Sequence, residues 1–360
     1  MGHGAADGHA GVTGGVAEAG QSMQHMHAHG NFTGHFLPGI YMSLWGAYVL
    51  FSTLYWSLRR PGRGPMLPMG AWFPANFKVP VIGMSMTLLE PVFLISTTAV
   101  SMFGELFNTE HVVPEWRALY DKQTGYTTFD QGDINNYQHL LMYAGFCSAG
   151  VAAVAGYAVR CFATASRGPA AVMTPPGDLG VDEEEAGSDC AAARTAELRR
   201  MLAEACDYLS HSFLVLAFAI EALLIIFHLK GSDVERRVHE LLLITVFVGA
   251  VAATCVFRSP QSVAARVVMA WALLTQGTWF VHIGFILYGG VSHWDGPLAA
   301  MMLPVELGAH MLVDGLVVAT VAAGTMVLRA RRAGRRLAEP VSAGHSAKDR
   351  QGAKYCALRA

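Results

Sequence analysis

The amino-acid sequence predicts an all-α membrane protein, a bundle of seven transmembrane helices. Only 14% of its 360 residues are charged, against about a quarter in a typical soluble domain, and 53% are hydrophobic. Seven segments stay apolar over about 20 residues, the length that crosses the hydrocarbon core of a bilayer. Because lipid offers no hydrogen-bond partner to backbone groups, each segment must be helical. In chain order the predicted helices span residues 36–58, 79–102, 138–162, 206–228, 238–257, 265–288 and 303–328.

Lysine and arginine are distributed unevenly among the connections between these helices. No such residue precedes the first helix. The six connections then carry four, two, five, three, two and none, and the C-terminal tail carries nine. Alternate connections therefore hold 20 on one side of the membrane and 5 on the other. Cytosolic loops hold the excess of these residues, so the sequence predicts an exoplasmic N-terminus and a cytosolic C-terminus.

The polar parts of the chain define the remaining regions. Residues 1–34 are rich in glycine and histidine and are expected to form a disordered exoplasmic tail before the seven-helix membrane domain of residues 35–329. Within that domain, residues 164–198 carry the acidic run TPPGDLGVDEEEAGSD, which is typical of a disordered cytosolic loop. Residues 330–360 form a basic cytosolic tail, whose arginines suit the anionic lipids of a cytosolic membrane face.

Ionisable residues inside the predicted helices are the candidate functional residues. A charged aspartate at the centre of a bilayer costs about 2.5–3.5 kcal/mol, so an acid retained there should face the bundle. Histidines recur near the predicted exoplasmic ends of the helices, and imidazole both ligates metals and exchanges protons near neutral pH. The sequence therefore predicts a metal or proton site, with histidines at its mouth and acids deeper. Its members are His35, Glu90, His139, Glu221, His228, His239, His310 and Asp314.

Helical spacing places several polar residues on common faces. Glu306, His310 and Asp314 follow one another at intervals of four, which keeps them on one side of the last helix. Asp207 and His211 repeat that interval in the fourth helix. A carboxylate hydrogen-bonded to the far nitrogen of a histidine fixes its tautomer and raises its basicity, as both a metal site and a proton relay require. The alternative is a structural role, in which neutral acids and interfacial histidines satisfy one another.

The sequence is compatible with a metal cofactor but does not identify one. The N-terminal run MQHMHAHG combines thioether and imidazole groups, which suits copper, while imidazole alone suits zinc. Bis-histidine haem is a less favoured option. It would require two histidines at similar depth on facing helices, such as His228 and His282.

Several classes of protein are disfavoured by what the sequence lacks. None of the five lysines lies in a predicted span, which excludes a retinal Schiff base in the last helix. The six cysteines have no CxxC spacing and none lies in a predicted exoplasmic loop, which argues against a thiolate zinc site and against disulfides. The sequence contains no phosphate-binding loop, no nucleic-acid-binding pattern and no recognisable catalytic motif.

Four segments of the sequence carry a resemblance to known proteins: GNFTGHFLPGIYMSLWG, EALLIIFHLKG, VHELL and TQGTWFVHIGFILY. They resemble the transmembrane protein 45 family, a multi-pass membrane family of unknown function that includes plant members. The resemblance covers roughly residues 30–330 and implies seven helices in an endomembrane or plasma membrane. His282 departs from the family pattern, which has glutamine there. The matching positions are His35, Glu90, His139, Glu221, His228, His239, Gln276, Gly277, Trp279 and Gly284.

Three functions are compatible with these observations. The leading one is the binding or translocation of a proton or divalent metal through a bundle lined with histidines and carboxylates. A metal-dependent intramembrane hydrolase would gather three protein ligands about 2.0–2.2 Å from one zinc ion and leave a position for water. A non-enzymatic scaffold or trafficking partner would use the polar groups only to pair with one another. In each case the bilayer is the first partner, and the sequence does not distinguish plasma membrane from endomembrane.

Overall fold

A computed structural model of the chain describes residues 32–59, 85–107, 125, 127–128, 131–165, 183–227, 229, 231–289, 294 and 296–338. Four sequence predictions fall wholly or partly outside the described residues. They concern the N-terminal tail up to residue 31 with its metal-binding run, residues 166–182 of the acidic loop, His228, and the basic tail beyond residue 338.

The described residues form seven long helices, and each contains a stretch long and apolar enough to cross a membrane. This confirms the predicted all-α bundle of an integral, multi-pass membrane protein. The helices are α1 Phe32–Arg59, α2 Met86–Phe107, α3 Gln131–Ala165, α4 Glu183–Phe227, α5 Asp233–Arg258, α6 Val263–Tyr288 and α7 Gly296–Ala338.

Consecutive helices run in opposite directions across the bundle. One cavity is lined by the starts of α1, α3 and α5 and by the ends of α2, α4 and α6, so these termini share one end of the bundle. We call this the N-terminal end, because α1 begins there, and the opposite end the C-terminal end. The exoplasmic orientation of the N-terminal end stays a prediction.

The start of α2 differs from the sequence prediction. The helix begins at Met86, although the apolar segment begins near residue 79. Ser85, the described residue before the helix, is not helical, and residues 79–84 of the predicted span lie outside the described residues.

The start of α4 also differs from the prediction. The helix begins at Glu183, inside the segment 164–198 for which we expected disorder. The run AAARTAELRRMLAEA is rich in residues of high helix propensity, and the acidic residues before it suit the positive end of the helix dipole. The cytosolic-loop prediction overlooked this propensity because it weighed only the acidic and Pro/Gly content.

Capped connections join α4 to α5 and α5 to α6. The Ser232 hydroxyl accepts a hydrogen bond from the Glu235 backbone N–H at 3.1 Å, and Ser262 accepts one from Ala265 at 3.2 Å. Gly231 precedes the first cap with φ of 85°, a left-handed conformation that glycine adopts without strain. These connections are short, so each pair of neighbouring helices must be antiparallel.

The closest helix packing joins α1 to α6. A methyl group on Gly277 would lie 2.7 Å from the Gly39 carbonyl oxygen and 2.5 Å from the Ser43 backbone nitrogen. One on Gly46 would lie 2.8 Å from the Leu274 backbone nitrogen. Small residues let the backbones of membrane helices approach, which is a main source of packing energy between them. The glycines therefore fix α6 against α1, and with it the polar residues that α6 carries.

Within the described part of the chain, α7 is the most exposed of the seven spans. It packs against α5 and α6 on one side and exposes apolar side chains such as Leu312 and Leu316 on the other. In a bilayer this outer face contacts lipid. The inward side of α7 is largely apolar, but His310 and Asp314 form hydrogen bonds with side chains of α6.

Candidate functional site

The sequence-predicted site residues that the structure describes do not meet at one point. They fall into three groups: a hydrogen-bonded chain between α6 and α7, a histidine-lined cavity at the N-terminal end, and buried acids on α4 and α2. His228 lies outside the described residues.

The first group is a chain of four side chains, which we call the relay. Nδ1 of His282 lies 2.9 Å from Nε2 of His310, and Nδ1 of His310 lies 3.0 Å from the Thr278 hydroxyl. Thr278 in turn donates a hydrogen bond of 2.8 Å to Oδ2 of Asp314. His282 and Thr278 are one turn apart on α6, and His310 and Asp314 are one turn apart on α7. The relay therefore joins two helices through three consecutive hydrogen bonds.

Two tryptophans hold the relay in place. Trp279 is fully buried, and its ring centroid lies 5.8 Å from that of His282 and 5.7 Å from that of His310, both edge-on. Its indole N–H donates to the Val238 carbonyl at 3.3 Å, which ties it to α5. Trp271 donates to the Met311 carbonyl on α7 at 3.1 Å. These contacts restrict the imidazole orientations and the spacing of α6 and α7.

The second group lines a cavity of about 540 Å³ at the N-terminal end, which we call the outer cavity. Three predicted histidines, His35, His139 and His239, line it together with Glu105. Nδ1 of His139 lies 3.1 Å from Oε1 of Glu105. The rings of His35 and His239 have centroids 5.7 Å apart, and Nδ1 of His239 lies 2.7 Å from the Glu235 carbonyl. The cavity is thus a half-open polar mouth whose histidines come from three helices.

The third group contains Glu221, whose side chain has no exposed surface. Its Oε1 accepts a hydrogen bond of 2.7 Å from the Gln276 side-chain amide on α6. Its Oε2 and the Gln276 Oε1 have no hydrogen-bond partner among the described residues. Glu221 was expected among the deeper acids of the predicted site, and its hydrogen-bond partner in the structure comes from a different helix. Gln276 was noted only as a position that matches a family pattern.

Glu90 corrects the predicted site most clearly. It was expected deep in the same chamber as the histidines, but it lies one turn into α2 and lines a small void with Arg266 and His211. Its Oε1 accepts from the Trp45 indole at 2.9 Å. Glu90 therefore belongs to the C-terminal half of the bundle. The predicted start of α2 at residue 79 placed Glu90 near the centre of the span, whereas the helix begins at Met86.

A pairing expected within a helix is also replaced by one between helices. Asp207 was expected to face His211 one turn away on α4. Instead, Nη1 of Arg160 on α3 lies 2.8 Å from its Oδ1 and 2.7 Å from its Oδ2. Arg266, counted in the sequence as a loop charge, is likewise buried inside α6, where its Nε donates to the Pro260 carbonyl at 3.2 Å. Spacing along one helix could not reveal Arg160 as the partner of Asp207, because the two residues are 47 positions apart in sequence.

Sequence reasoning missed several members of the three groups. His282 was discounted because it departs from a family pattern, and Thr278 was not considered. The spacing of four between them was the available signal, since it matches that of His310 and Asp314. Across the described residues, no three His, Cys, Asp or Glu side chains are grouped so that they could hold a metal ion.

Part of the chain is similar in sequence to known proteins. Residues 207–294, from the second half of α4 to just beyond α6, match a family described as a family of unknown function (DUF716). Transmembrane epididymal protein 1 of Rattus norvegicus is 29% identical over 123 residues, covering 33% of this chain and 40% of that protein. Transmembrane epididymal protein 1A of Mus musculus is 30% identical over a match of the same length and coverage.

These matches support a relation to a membrane-protein family without an assigned activity. The chain spans about two fifths of the length of the curated relatives it matches. The more specific resemblance to the transmembrane protein 45 family stays a prediction. The matched segment contains α5, α6 and the part of α4 that carries Glu221, but it ends before α7.

Proposed function

We propose that the protein binds protons at the N-terminal end of its bundle and conducts them towards the membrane interior. The observation that supports this proposal is the relay from His282 through His310 and Thr278 to Asp314. Imidazole and hydroxyl groups can each accept a proton on one side and release one on the other. Three consecutive hydrogen bonds between such groups therefore form a path for a proton.

The hydrogen-bonding capacity of each group gives the relay a direction. The Asp314 carboxylate can only accept, so the Thr278 hydroxyl donates to it. Thr278 then accepts from the Nδ1–H of His310, whose Nε2 accepts from the Nδ1–H of His282 when both rings are neutral. A proton added at Nε2 of His282 would therefore displace one proton at each hydrogen bond. The last transfer would protonate Asp314.

The membrane environment supplies a reason for the relay to bind a proton. Asp314 lies in a membrane-spanning helix, where an unpaired aspartate charge costs about 2.5–3.5 kcal/mol at the centre of the bilayer. A proton on any member of the relay cancels that charge, either by neutralising the acid or by creating an imidazolium beside it. The proton-loaded relay is therefore the electrically neutral one.

The outer cavity contributes further imidazoles at the same end of the bundle. His35, His139 and His239 come from three helices and face a half-open space. Imidazole is the side chain that exchanges protons most readily near neutral pH. These histidines would collect protons at the N-terminal end, while the relay would carry them inward. Glu90 and Glu221 take no part in the relay.

A metal carrier or a metal-dependent hydrolase is less well supported. A structural or catalytic zinc site needs three or four ligands converging on one ion. The described histidines instead occur as the pair His282–His310 and as separate rings around the outer cavity. If the protein were only a scaffold, the protonation of the relay would not change with pH.

Infrared spectroscopy of the purified full chain in lipid nanodiscs tests the proposal. After a rapid drop in pH, we expect the carbonyl band of a protonated carboxyl group to rise, and Asp314→Asn to abolish that component. Thr278→Val keeps the shape of the side chain but interrupts the relay. It should slow the rise of the band at least tenfold while leaving its final amplitude unchanged.

Thr245→Val is the matched control for this experiment. Thr245 is buried on α5, and its hydroxyl donates to the Leu242 carbonyl of its own helix and does not touch the relay. This variant should behave like the wild type. A pH-dependent band that is unaffected by Asp314→Asn, or an unchanged rate in Thr278→Val, would show that the relay does not conduct protons.

A further inference from the structure

A second, smaller cavity lies deeper in the bundle than the outer cavity. We call it the inner chamber. It measures about 40 Å³, enough for roughly three water-sized groups by the measure in which one water needs about 10–15 Å³. Its wall is largely aromatic and is formed by Tyr41, Trp45, Phe93, Tyr143, Phe146 and Phe280. Edge-on contacts between Tyr41 and Phe93 and between Trp45 and Phe146 hold four of these rings.

One acid faces this aromatic wall. Glu221 lines the inner chamber and has no exposed surface. Gln276 donates to its Oε1, whereas its Oε2 has no hydrogen-bond partner among the described residues. A buried carboxylate oxygen without a donor is costly, because desolvation removes water and nothing replaces it. The chamber therefore presents an unsatisfied acceptor surrounded by the π-faces and edges of aromatic rings.

The inner chamber adjoins the outer cavity. Pro38, Ser101, Met142, Tyr143 and Phe280 line both spaces, so the two cavities lie end to end along the bundle. The outer cavity, about 540 Å³ in volume, has the size of a small-molecule site, and its wall combines apolar side chains with a few polar groups. Together the two cavities would accommodate a molecule with a compact head and a larger body.

We propose that this pair of cavities binds a small organic amine, with its ammonium group in the inner chamber against Glu221 and its body in the outer cavity. An ammonium ion would donate to Oε2 in a charge-assisted hydrogen bond. The surrounding rings would attract the cation through their quadrupoles. A divalent metal ion fits the chamber poorly, because Glu221 is the one carboxylate among the described residues that line it and no histidine joins it, whereas such ions require several charged or strongly coordinating ligands.

This binding site shares the outer cavity with the proposed proton function but is separate from the relay itself. Its carboxylate is on α4, and none of the relay residues lines either cavity. The two proposals can therefore fail independently. The infrared signal of Asp314 does not require an amine, and amine binding does not require Thr278 or Asp314.

Titration calorimetry on the full chain in nanodiscs tests amine binding with two probes of matched size. Benzylamine carries an ammonium group at neutral pH, and benzyl alcohol is its uncharged counterpart. We expect wild-type protein to bind benzylamine at least tenfold more tightly than benzyl alcohol. Glu221→Gln keeps the shape of the side chain and removes its charge. It should weaken benzylamine binding at least tenfold and leave benzyl alcohol binding unchanged.

Two further variants keep the test decisive. Glu240→Gln makes the same chemical change on a carboxylate that pairs with Arg237 at the surface, and it should bind benzylamine like the wild type. Phe280→Leu keeps an apolar wall but removes one ring, and the loss of a cation–π contact should weaken benzylamine binding about three- to tenfold. If Glu221→Gln fails to fold, Phe280→Leu still tests whether the amine binds in the inner chamber.

The outcomes that overturn the proposal are equally specific. Equal affinity of wild-type protein for benzylamine and benzyl alcohol would mean that the chamber does not recognise the ammonium group. Undiminished benzylamine binding by both Glu221→Gln and Phe280→Leu would place the amine elsewhere. Absence of benzylamine binding would leave Glu221 as a neutral acid paired only with Gln276.

Discussion

Nδ1 of His282 lies 2.9 Å from Nε2 of His310, so two imidazoles that are 28 residues apart in sequence share one hydrogen bond. The contact joins α6 to α7 and begins the relay that ends at Asp314. Since a neutral imidazole carries one proton, the shared hydrogen bond requires one ring to donate and the other to accept. Because Asp314 at the other end of the relay can only accept, His282 is the donor of this pair and His310 the acceptor.

The first prediction concerns the tautomers of these two rings. At a pH where both are neutral, we expect His282 to carry its proton on Nδ1 and His310 to carry its proton on Nδ1 as well. Nitrogen-15 NMR of histidine-labelled protein distinguishes the two ring nitrogens directly, with His282→Gln and His310→Gln used to assign the signals. A proton on Nε2 of neutral His310 would contradict the order of the relay.

A second prediction concerns the packing of α1 against α6. Gly277→Ala should destabilise the bundle by about 1–3 kcal/mol, because the added methyl group would press on the backbone of Gly39 and Ser43. The free energy of unfolding can be measured by titration with a denaturing detergent. Gly308→Ala is the matched control, since a methyl group there would meet no atom within 4 Å. Equal stability of the two variants would argue against close packing at this interface.

A third prediction separates a buried ion pair from an exposed one. Arg160→Gln should lower the free energy of unfolding by about 1–3 kcal/mol, because it leaves Asp207, with 8% of its side chain exposed, without its cation. Arg200→Gln removes an arginine from exposed pairs with Glu197 and Glu204 and should lower the free energy of unfolding much less, because solvent screens these pairs. The same detergent titration measures both. A larger loss of unfolding free energy for Arg200→Gln than for Arg160→Gln would contradict this prediction.

A fourth prediction tests the orientation of the bundle in the membrane. Thr33 lies at the N-terminal end and Gln261 at the C-terminal end, and both are exposed. In a variant without the native cysteines, a membrane-impermeant maleimide added to intact cells should label Thr33→Cys. It should label Gln261→Cys only after the membrane is permeabilised. The opposite pattern would mean that the positive-inside count gave the wrong orientation.

The parts of the candidate site that the sequence anticipated share a simple property. His35, His139 and His239 each lie near a helix terminus, and antiparallel helices bring alternate termini to the same end of a bundle. Their common cavity therefore followed from topology alone. Glu90 lies elsewhere for a different reason. The predicted span of α2 begins at residue 79 and has Glu90 near its centre, whereas the helix begins at Met86 and has Glu90 one turn from its start.

Other features depended on how the helices rotate about their axes and cross. Hydropathy does not encode which side of α6 faces α7 and which faces α4, so the pairing of Thr278 with Asp314 and of Gln276 with Glu221 could not be read from it. The three positions 276, 277 and 278 point in different directions around one helix. Gln276 faces α4, Gly277 faces α1 and Thr278 faces α7.

By itself, the sequence determined the class of the protein. Seven apolar segments of membrane-spanning length can only form helices in lipid, because unpaired backbone groups are too costly there. The tertiary structure determined which polar side chains are paired. The partners of Asp207, Glu221 and Asp314 come from other helices, dozens of residues away in sequence. Their pairing depends on the rotation and close approach that residues such as Gly39 and Gly277 permit, and no local pattern in the sequence records it.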